Sequence, residues 1–243
     1  MNNKGLIIAS VFLGVSLIAC AGVAGYSFYK IRAASNVISV TGSAEKVITS
    51  DIVKWYSGFS RNVGANDVKQ GYADMARDLE KTLVYLRAQG IADADITVRP
   101  VMMNPLYEQK GYGQGGIIGY SFQQTIEVRA TDVVKITKIA QDAPAKIAEL
   151  GVLFASQNLE YYYSKFSDLK VEMLSEATKN AKSRAEKIAE STGARIQFLQ
   201  SASMGVFQVT AVNSMEVSDY GYFDTSSIEK KVTSVVRASF SLQ

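Results

Sequence analysis

Residues 177–193 read ATKNAKSRAEKIAESTG, and this stretch decides the fold. Alanine recurs in it at intervals of four, which places these residues on one face of an α-helix: Ala177, Ala181, Ala185 and Ala189. Small side chains at this spacing let a helix pack closely on a sheet or on another helix. We predict the longest helix of the domain over about 167–191, stopped by Gly193. Its other face carries solvated charges: Lys179, Lys182, Arg184, Glu186 and Lys187.

Segments that alternate apolar and polar side chains predict β-strands, because successive residues of a strand point to opposite faces. Trp55 is predicted to be a core residue of the strand at 51–61, and residues 119–130 and 231–242 alternate in the same way. In the last strand, Phe240 is predicted to point inward and Ser241 outward. Apolar residues at steps of three and four predict two more helices, over about 67–89 and 132–150.

The order of these elements predicts an α+β fold. It combines a mixed, largely antiparallel sheet with about three helices packed on one face, plus an N-terminal transmembrane helix. Two segments rich in glycine or aromatic residues, 104–116 and 213–227, are predicted to be loops, the first of them mobile. The glycines of the first lead into a strand and lack the Lys-Ser/Thr pair of a phosphate-cradling loop. Because aromatic residues are enriched at protein interfaces, we predict an interface formed by Tyr112, Tyr220, Tyr222 and Phe223.

The N-terminal segment is apolar over a length that can cross a membrane. Residues 5–29 read GLIIASVFLGVSLIACAGVAGYSFY and contain no charged side chain, with Lys4 before them and Lys30 and Arg32 after them. A helix rises about 1.5 Å per residue, so this run can span a hydrocarbon core of roughly 30 Å. We therefore divide the chain into a signal anchor at 1–32, a tether at 33–36 and one α+β domain at 37–243.

Three fates of this leader remain open. Ala19-Cys20-Ala21 has the small-x-small form of a signal-peptide cleavage site, and Leu17-Ile18-Ala19-Cys20 resembles a lipobox, in which Cys20 would be lipidated. The apolar run continues beyond both, through Phe28, and an uncleaved anchor explains its full length better. We expect an inner-membrane protein with its domain in the periplasm or otherwise outside the cytoplasm, the alternatives being a cleaved periplasmic protein or a lipoprotein. The nearly balanced cationic flanks do not settle the orientation.

Composition limits the chemistry and the partners of the domain. Three of the 26 basic residues lie in the leader, which has no acidic residue, so 23 basic residues face 23 acidic ones. A neutral domain without a basic stripe is a poor nucleic-acid binder. The absence of His removes Ser-His-Asp and Cys-His activation and the usual zinc and iron ligand sets. The one Cys, Cys20, lies in the leader, so we expect no catalytic residue, metal or cofactor.

Four pieces of the domain resemble the SIMPL-domain family, which includes exported bacterial stress-defence and periplasmic immunogenic proteins. They are residues 38–45 (ISVTGSAE) with Asp51 after them, residues 86–91 (LRAQGI) with Asp95-Ile96 after them, Gly119-Tyr120-Ser121, and 177–193. The resemblance implies an exported domain without established enzymatic activity that builds large homo-oligomeric rings or channel-like cages. Two features depart from the family: residues 46–50 (KVITS) lack its proline, and the leader is apolar beyond a usual signal peptide.

From the residues and the resemblance together we expect a membrane-tethered, non-catalytic cell-envelope protein that self-assembles into a ring or cage, with a link to stress defence. The alternative is an envelope module that binds a small ligand or a protein partner through its tyrosine-rich loops, around Tyr107, Tyr112, Tyr220, Tyr222 and Phe223. A hydrolase that uses a pair of Asp or Glu residues is a third hypothesis, disfavoured by the missing catalytic repertoire.

Overall fold

A computed structural model describes residues 3–33, 36–109 and 114–243. Four α-helices are present in these ranges: α1 (Asn3–Ala33), α2 (Val68–Ala88), α3 (Val133–Ala148) and α4 (Phe166–Ser191). The first six strands are β1 (Val37–Thr49), β2 (Ile52–Gly64), β3 (Ile96–Val98), β4 (Met102–Gln109), β5 (Gln114–Ala130) and β6 (Phe154–Tyr162). The others are β7 (Ile196–Met204), β8 (Gln208–Ala211), β9 (Tyr222–Phe223) and β10 (Glu229–Leu242). The predicted α+β fold class is confirmed.

The strands form two five-stranded sheets in which antiparallel pairing dominates. One has the order β1-β10-β8-β9, with β7 also beside β10, and the other has the order β3-β5-β2-β6, with β4 also beside β5. The chain divides into two compact units. Unit 1 comprises Met1–Glu45, Leu169–Phe207 and Thr233–Gln243, and unit 2 comprises Lys46–Asp168 and Gln208–Val232. Both β1 and β10 therefore run from one unit into the other along the chain.

Unit 2 is built around the long pairing of β2 with β5. Twelve consecutive residue pairs join the two strands without a shift, from Val53↔Ala130 to Gly64↔Gly119. Trp55 is fully buried, as its alternating strand predicts, and its indole Nε1 donates a hydrogen bond of 2.8 Å to Ser156 Oγ. The helices α2 and α3 contribute buried side chains to the same core, among them Met75, Leu86, Ile136 and Ile147.

The prediction of a mobile loop over 104–116 is wrong for most of its length. Residues 104–109 belong to β4 and residues 114–116 to β5, and only 110–113 lie outside the described residues. The register pairs Asn104 with Ser121, Pro105 with Tyr120 and Leu106 with Gly119. Because β5 supplies the backbone partners, the glycines and Pro105 do not prevent strand formation, and proline is tolerated in an edge strand.

Unit 1 depends on a close approach of α4 to β1. The four alanines spaced by four are all buried, as predicted, and Ala181 and Ala185 pack with Val40, Ala238 and Phe240. Gly42 lies beneath α4, and a Cβ atom on it would lie 2.3 Å from Ala177 O and 2.3 Å from Ala181 N. A residue without a side chain therefore sets the distance between this strand and the helix.

The prediction for Ser241 needs a correction. Phe240 is buried as expected, but Ser241 is also buried instead of facing solvent. The reason is β7, which runs antiparallel to β10, with register shifts on both sides of Phe240. At this irregular pairing, Phe198 N donates a hydrogen bond of 3.3 Å to Ser241 Oγ.

Candidate interaction surfaces

The helix α1 has the length and composition of a membrane span. The apolar part, Val11–Phe28, has none of its residues buried against the rest of the protein. Cys20 lies within it and is exposed as a free thiol. An N-terminal signal sequence has the same length and apolar character, so the structure is compatible with retention of the helix and with its removal.

A second surface is the aromatic loop, residues 212–228, which joins β8 to β10 and contains β9. Tyr222 and Phe223 form β9 and pair in parallel with Gln208 and Val209. Tyr220 is 96% exposed, whereas the Phe223 ring meets the Phe166 ring edge-on at a centroid distance of 5.3 Å. The fourth predicted residue, Tyr112, lies outside the described residues.

The aromatic loop carries exposed apolar side chains that the sequence interpretation did not select. Met215 is 94% exposed and Val217 is 82% exposed. The signal that could have identified them is the occurrence of two large apolar residues within a segment otherwise rich in Ser, Asp and Asn. Together with Tyr220, these residues give the loop an apolar tip.

A tight turn holds the tip of this loop. Gly221 has a φ of +88°, a conformation that favours glycine, and its N–H donates a hydrogen bond of 3.0 Å to Ser218 O. The amide Nε2 of Gln208 donates to the same carbonyl at 2.6 Å. One backbone hydrogen bond thus closes the turn that carries Tyr220, and the Gln208 side chain fastens this turn to β8.

Asp224 fastens the other end of the loop. Its carboxylate accepts hydrogen bonds from Ser226 N at 2.8 Å, Ser226 Oγ at 2.7 Å and Ser227 Oγ. Burial by itself raises the pKa of Asp224, but the hydrogen bonds from Ser226 and the nearby Lys230 charge outweigh it, so the pKa lies below its ordinary value. The carboxylate is therefore held in its ionised form.

Lys230 is the unexpected partner in this arrangement. It lies on the inward face of β10 and is buried, and its Nζ donates a hydrogen bond of 2.5 Å to Asp224 O. Burial lowers the pKa of the Lys230 ammonium, and the Asp224 carboxylate acts in the opposite direction. A lysine is rare at a fully buried strand position unless it is paired, so this contact explains why Lys230 is accommodated there.

A third surface is the apolar hairpin, formed by β4 and the residues of β5 that pair with it, 114–123. Gly119 is the first residue of β5 that pairs with β2, so the preceding residues, 114–118, have only β4 as a described neighbour. Five large apolar side chains of the hairpin are between 40% and 63% exposed: Met102, Met103, Tyr107, Ile117 and Ile118. The part of the hairpin that contains residues 114–118 is two-stranded, and two strands alone are marginally stable in water. Its exposed apolar side chains make the hairpin a candidate contact surface.

A fourth surface is a polar cluster on the strands of unit 2. Tyr162 OH donates to Glu160 Oε2 at 2.7 Å, and Arg99 Nη2 donates to Glu127 Oε2 at 3.2 Å. Burial, followed by the hydrogen bond to Glu160, raises the pKa of Tyr162 to about 12. Burial and then the charges of Glu127 and Glu160 raise the pKa of Tyr56. Both carboxylates already accept a hydrogen bond, Glu160 from a tyrosine two residues along the same strand and Glu127 from the arginine that follows β3. Neither is therefore a free general base.

Metal binding would require several ligating side chains close together. No three Cys, Asp or Glu side chains within 3–33, 36–109 and 114–243 come close enough together to hold a metal ion. That the whole chain binds no metal stays a prediction from the sequence.

Comparison with known families assigns the chain. Residues 38–240 match the family model described as "SIMPL: Protein of unknown function (DUF541)". This chain belongs to the SIMPL family. The match begins in β1 and ends in β10, so the family covers both compact units and leaves out α1. The resemblance seen in the four sequence pieces is confirmed.

Other comparisons add little to this SIMPL protein. No curated protein matches its sequence. One solved structure with partial likeness is an amidase of the hydantoinase/carbamoylase family from Burkholderia multivorans, at 13% identity and a TM-score of 0.26. The alignment covers 53% of this chain and only 30% of the amidase. A likeness of this size carries no argument about fold or activity.

Proposed function

We propose that this SIMPL protein is a membrane-tethered, non-catalytic cell-envelope protein whose extramembrane part self-assembles. The observation that carries the proposal is the exposed apolar surface of the apolar hairpin, with Met102 and Ile118 more than half exposed. The tip of the aromatic loop adds Tyr220, Met215 and Val217. Identical subunits that meet through different patches form rings when their rotation closes. A link to stress defence rests on the family resemblance alone.

The anchor supports assembly by mass action. Subunits that share one membrane surface are held at a high local concentration, so weak contacts between them are sufficient for association. The apolar helix α1 ends at Ala33, and β1 begins at Val37, so the domain stays close to the membrane that holds the helix.

The test is the particle mass of the full-length protein in mild detergent, measured by native mass spectrometry at micromolar concentration. We expect a closed oligomer. If the apolar hairpin is the interface, the variant Ile117→Thr/Ile118→Thr should dissociate the oligomer. If the aromatic loop is the interface, the variant Tyr220→Ser/Tyr222→Ser/Phe223→Ser should dissociate it. Val134→Thr/Val171→Thr serves as the control, because these two residues are exposed on α3 and α4.

The outcomes separate three cases. A monodisperse wild-type monomer defeats the proposal and favours the alternative, an envelope module that binds a ligand through its exposed tyrosines. An oligomer that survives both sets of changes keeps self-assembly and moves the interface elsewhere. The next candidate is the side of β7 away from β10, which pairs with no other described strand. Dissociation by the control variant as well shows that the effect is not specific to either surface.

A further inference from the structure

A groove in unit 1 runs between β1 and α4. It has a volume of about 500 Å³, and residues of both elements line it, among them Ser39, Thr41 and Ser183. The Ser39 hydroxyl is already hydrogen-bonded to Ser239 Oγ at 2.8 Å. Two cations of α4, Arg184 and Lys187, also line it, and among the described residues no carboxylate does. A groove with this lining favours an anion with oxygen acceptors.

The two cations keep most of their hydrogen-bonding capacity. Arg184 Nη1 donates one bond of 3.2 Å to Thr41 O, which fixes the guanidinium against β1 and leaves its other N–H groups available. Lys187 Nζ donates to Glu190 Oε2 at 3.1 Å, in a pair whose side chains are both more than half exposed. Exposed pairs of this kind contribute little free energy, so an anion can compete for Lys187.

A cavity in unit 2 provides a contrast. It also holds two cations, Arg129 and Lys135, but Asp95 and Asp132 line it as well. Lys135 Nζ is already directed to Gly90 O at 3.4 Å. Local carboxylates repel an anion from that cavity, whereas the groove in unit 1 has none in its lining.

The groove also has an apolar part. Val40 lies in its floor, and Ile188, about half exposed, lies on its rim. An occupant with carbon atoms next to its anionic group would cover Ile188, which a bare inorganic anion would leave in water.

The length of chain before the groove points to the source of that occupant. Ser39 follows the end of α1, at Ala33, by six residues. An extended chain spans at most about 3.3–3.6 Å per residue, so Ser39 lies within roughly 20 Å of the end of the anchor helix. The head groups of the membrane that holds α1 are within this reach.

We propose that this groove binds the phosphate of an anionic phospholipid head group in the membrane that holds α1. Arg184 and Lys187 bind the phosphate oxygens, the Ser183 hydroxyl supplies a further donor, and Ile188 contacts the glycerol carbons. This inference rests on the membrane anchor of the proposed function and adds a second contact between the protein and the bilayer.

The test uses the full-length protein in lipid nanodiscs of phosphatidylcholine, with and without phosphatidylglycerol. Amide hydrogen exchange is measured in β1 and α4. Two cations at an anionic surface favour the bound state roughly thirtyfold, so we expect exchange around Ser39 and Arg184 to slow by up to about that factor with phosphatidylglycerol. The variant Arg184→Gln/Lys187→Gln should lose this protection.

The matched control is Lys179→Gln/Lys182→Gln, which removes the same charge from the same helix outside the groove. It should keep the protection, and its loss would show general attraction of α4 instead of a site. Equal exchange of the wild type in both nanodiscs would overturn the proposal. Protection by inorganic phosphate in detergent, with none from phosphatidylglycerol, would overturn a lipid as the source.

Alkaline carbonate extraction of membranes that contain the full-length protein tests the anchor separately from the groove. Release of the protein would remove the anchor and, with it, the membrane part of the proposed function. Retention without protection by phosphatidylglycerol would defeat only the groove.

Discussion

Gly42 is a residue at which β1 and α4 of unit 1 approach each other closely. A Cβ atom there would lie 2.3 Å from backbone atoms of α4. Backbone atoms cannot turn aside as the end of a flexible side chain can. The close contact between β1 and α4 therefore depends on small residues on both sides, Gly42 on the strand and the buried alanines on the helix.

We expect Gly42→Ala to destabilise unit 1 by roughly 1–3 kcal/mol, the usual cost of overpacking. The measurement is the urea midpoint in mild detergent, followed by circular dichroism. Gly116→Ala is the matched control, because a Cβ atom at Gly116 has nothing within 4 Å. Equal midpoints for the two variants would show that β1 and α4 do not pack this closely.

The aromatic loop is an element whose order depends on one carboxylate. Asp224 accepts three hydrogen bonds from the two serines that follow it, and its backbone carbonyl accepts the bond from Lys230. Its pKa in the folded protein is below the value of about 3.9 found in an unfolded chain. The ionised group therefore stabilises the fold at every pH above about 4, and this contribution is lost as the pH falls through the folded pKa.

We expect Asp224→Asn to be less stable than the wild type near about pH 7 and to differ from it less near about pH 3. The observable is urea unfolding followed by fluorescence of Trp55, the one tryptophan of the chain. Asp219→Asn removes an exposed carboxyl group from the same loop and serves as the control. A stability difference that is independent of pH would contradict the role given to the Asp224 charge.

The helices and strands could be predicted from the sequence because their apolar residues recur at short, regular intervals. The alternation in β10 correctly placed Phe240, and the spacing of four correctly placed the alanines of α4. Lys230 was missed because its burial depends on Asp224, and the bond between them exists only once the loop has folded back. The strand at 104–109 was missed because its pairing with β5 outweighs the turn propensity of Pro105 and the glycines.

The candidate sites were harder to predict from the sequence than the fold. The loop aromatics were recognised by residue type, and Tyr220 is indeed exposed. The groove of unit 1 could not be foreseen, because Arg184 and Lys187 read as an ordinary solvated helix face. They lie near Ser39 and Thr41 only in the folded protein, because these two residues are more than a hundred positions earlier in the chain.

At the scale of the whole molecule, the fate of α1 decides how the domain works. We expect the mature protein to keep residues 1–32 and to remain in the membrane fraction, because the uncharged run continues well past Ala21. N-terminal sequencing and intact-mass measurement of purified protein test this. A chain beginning near Gly22 would establish a cleaved protein, and a lipidated Cys20 at the N-terminus would establish a lipoprotein.

The position of β10 in the chain affects how the protein is made. This strand follows every other described strand in the sequence, yet it lies beside β1, β7 and β8. During synthesis, α1 and β1 leave the ribosome first and β1 must wait for its partner until everything between them has been translated. Long-range pairings of this kind form slowly. The anchor can thus enter the membrane before the sheet that contains β1 is complete.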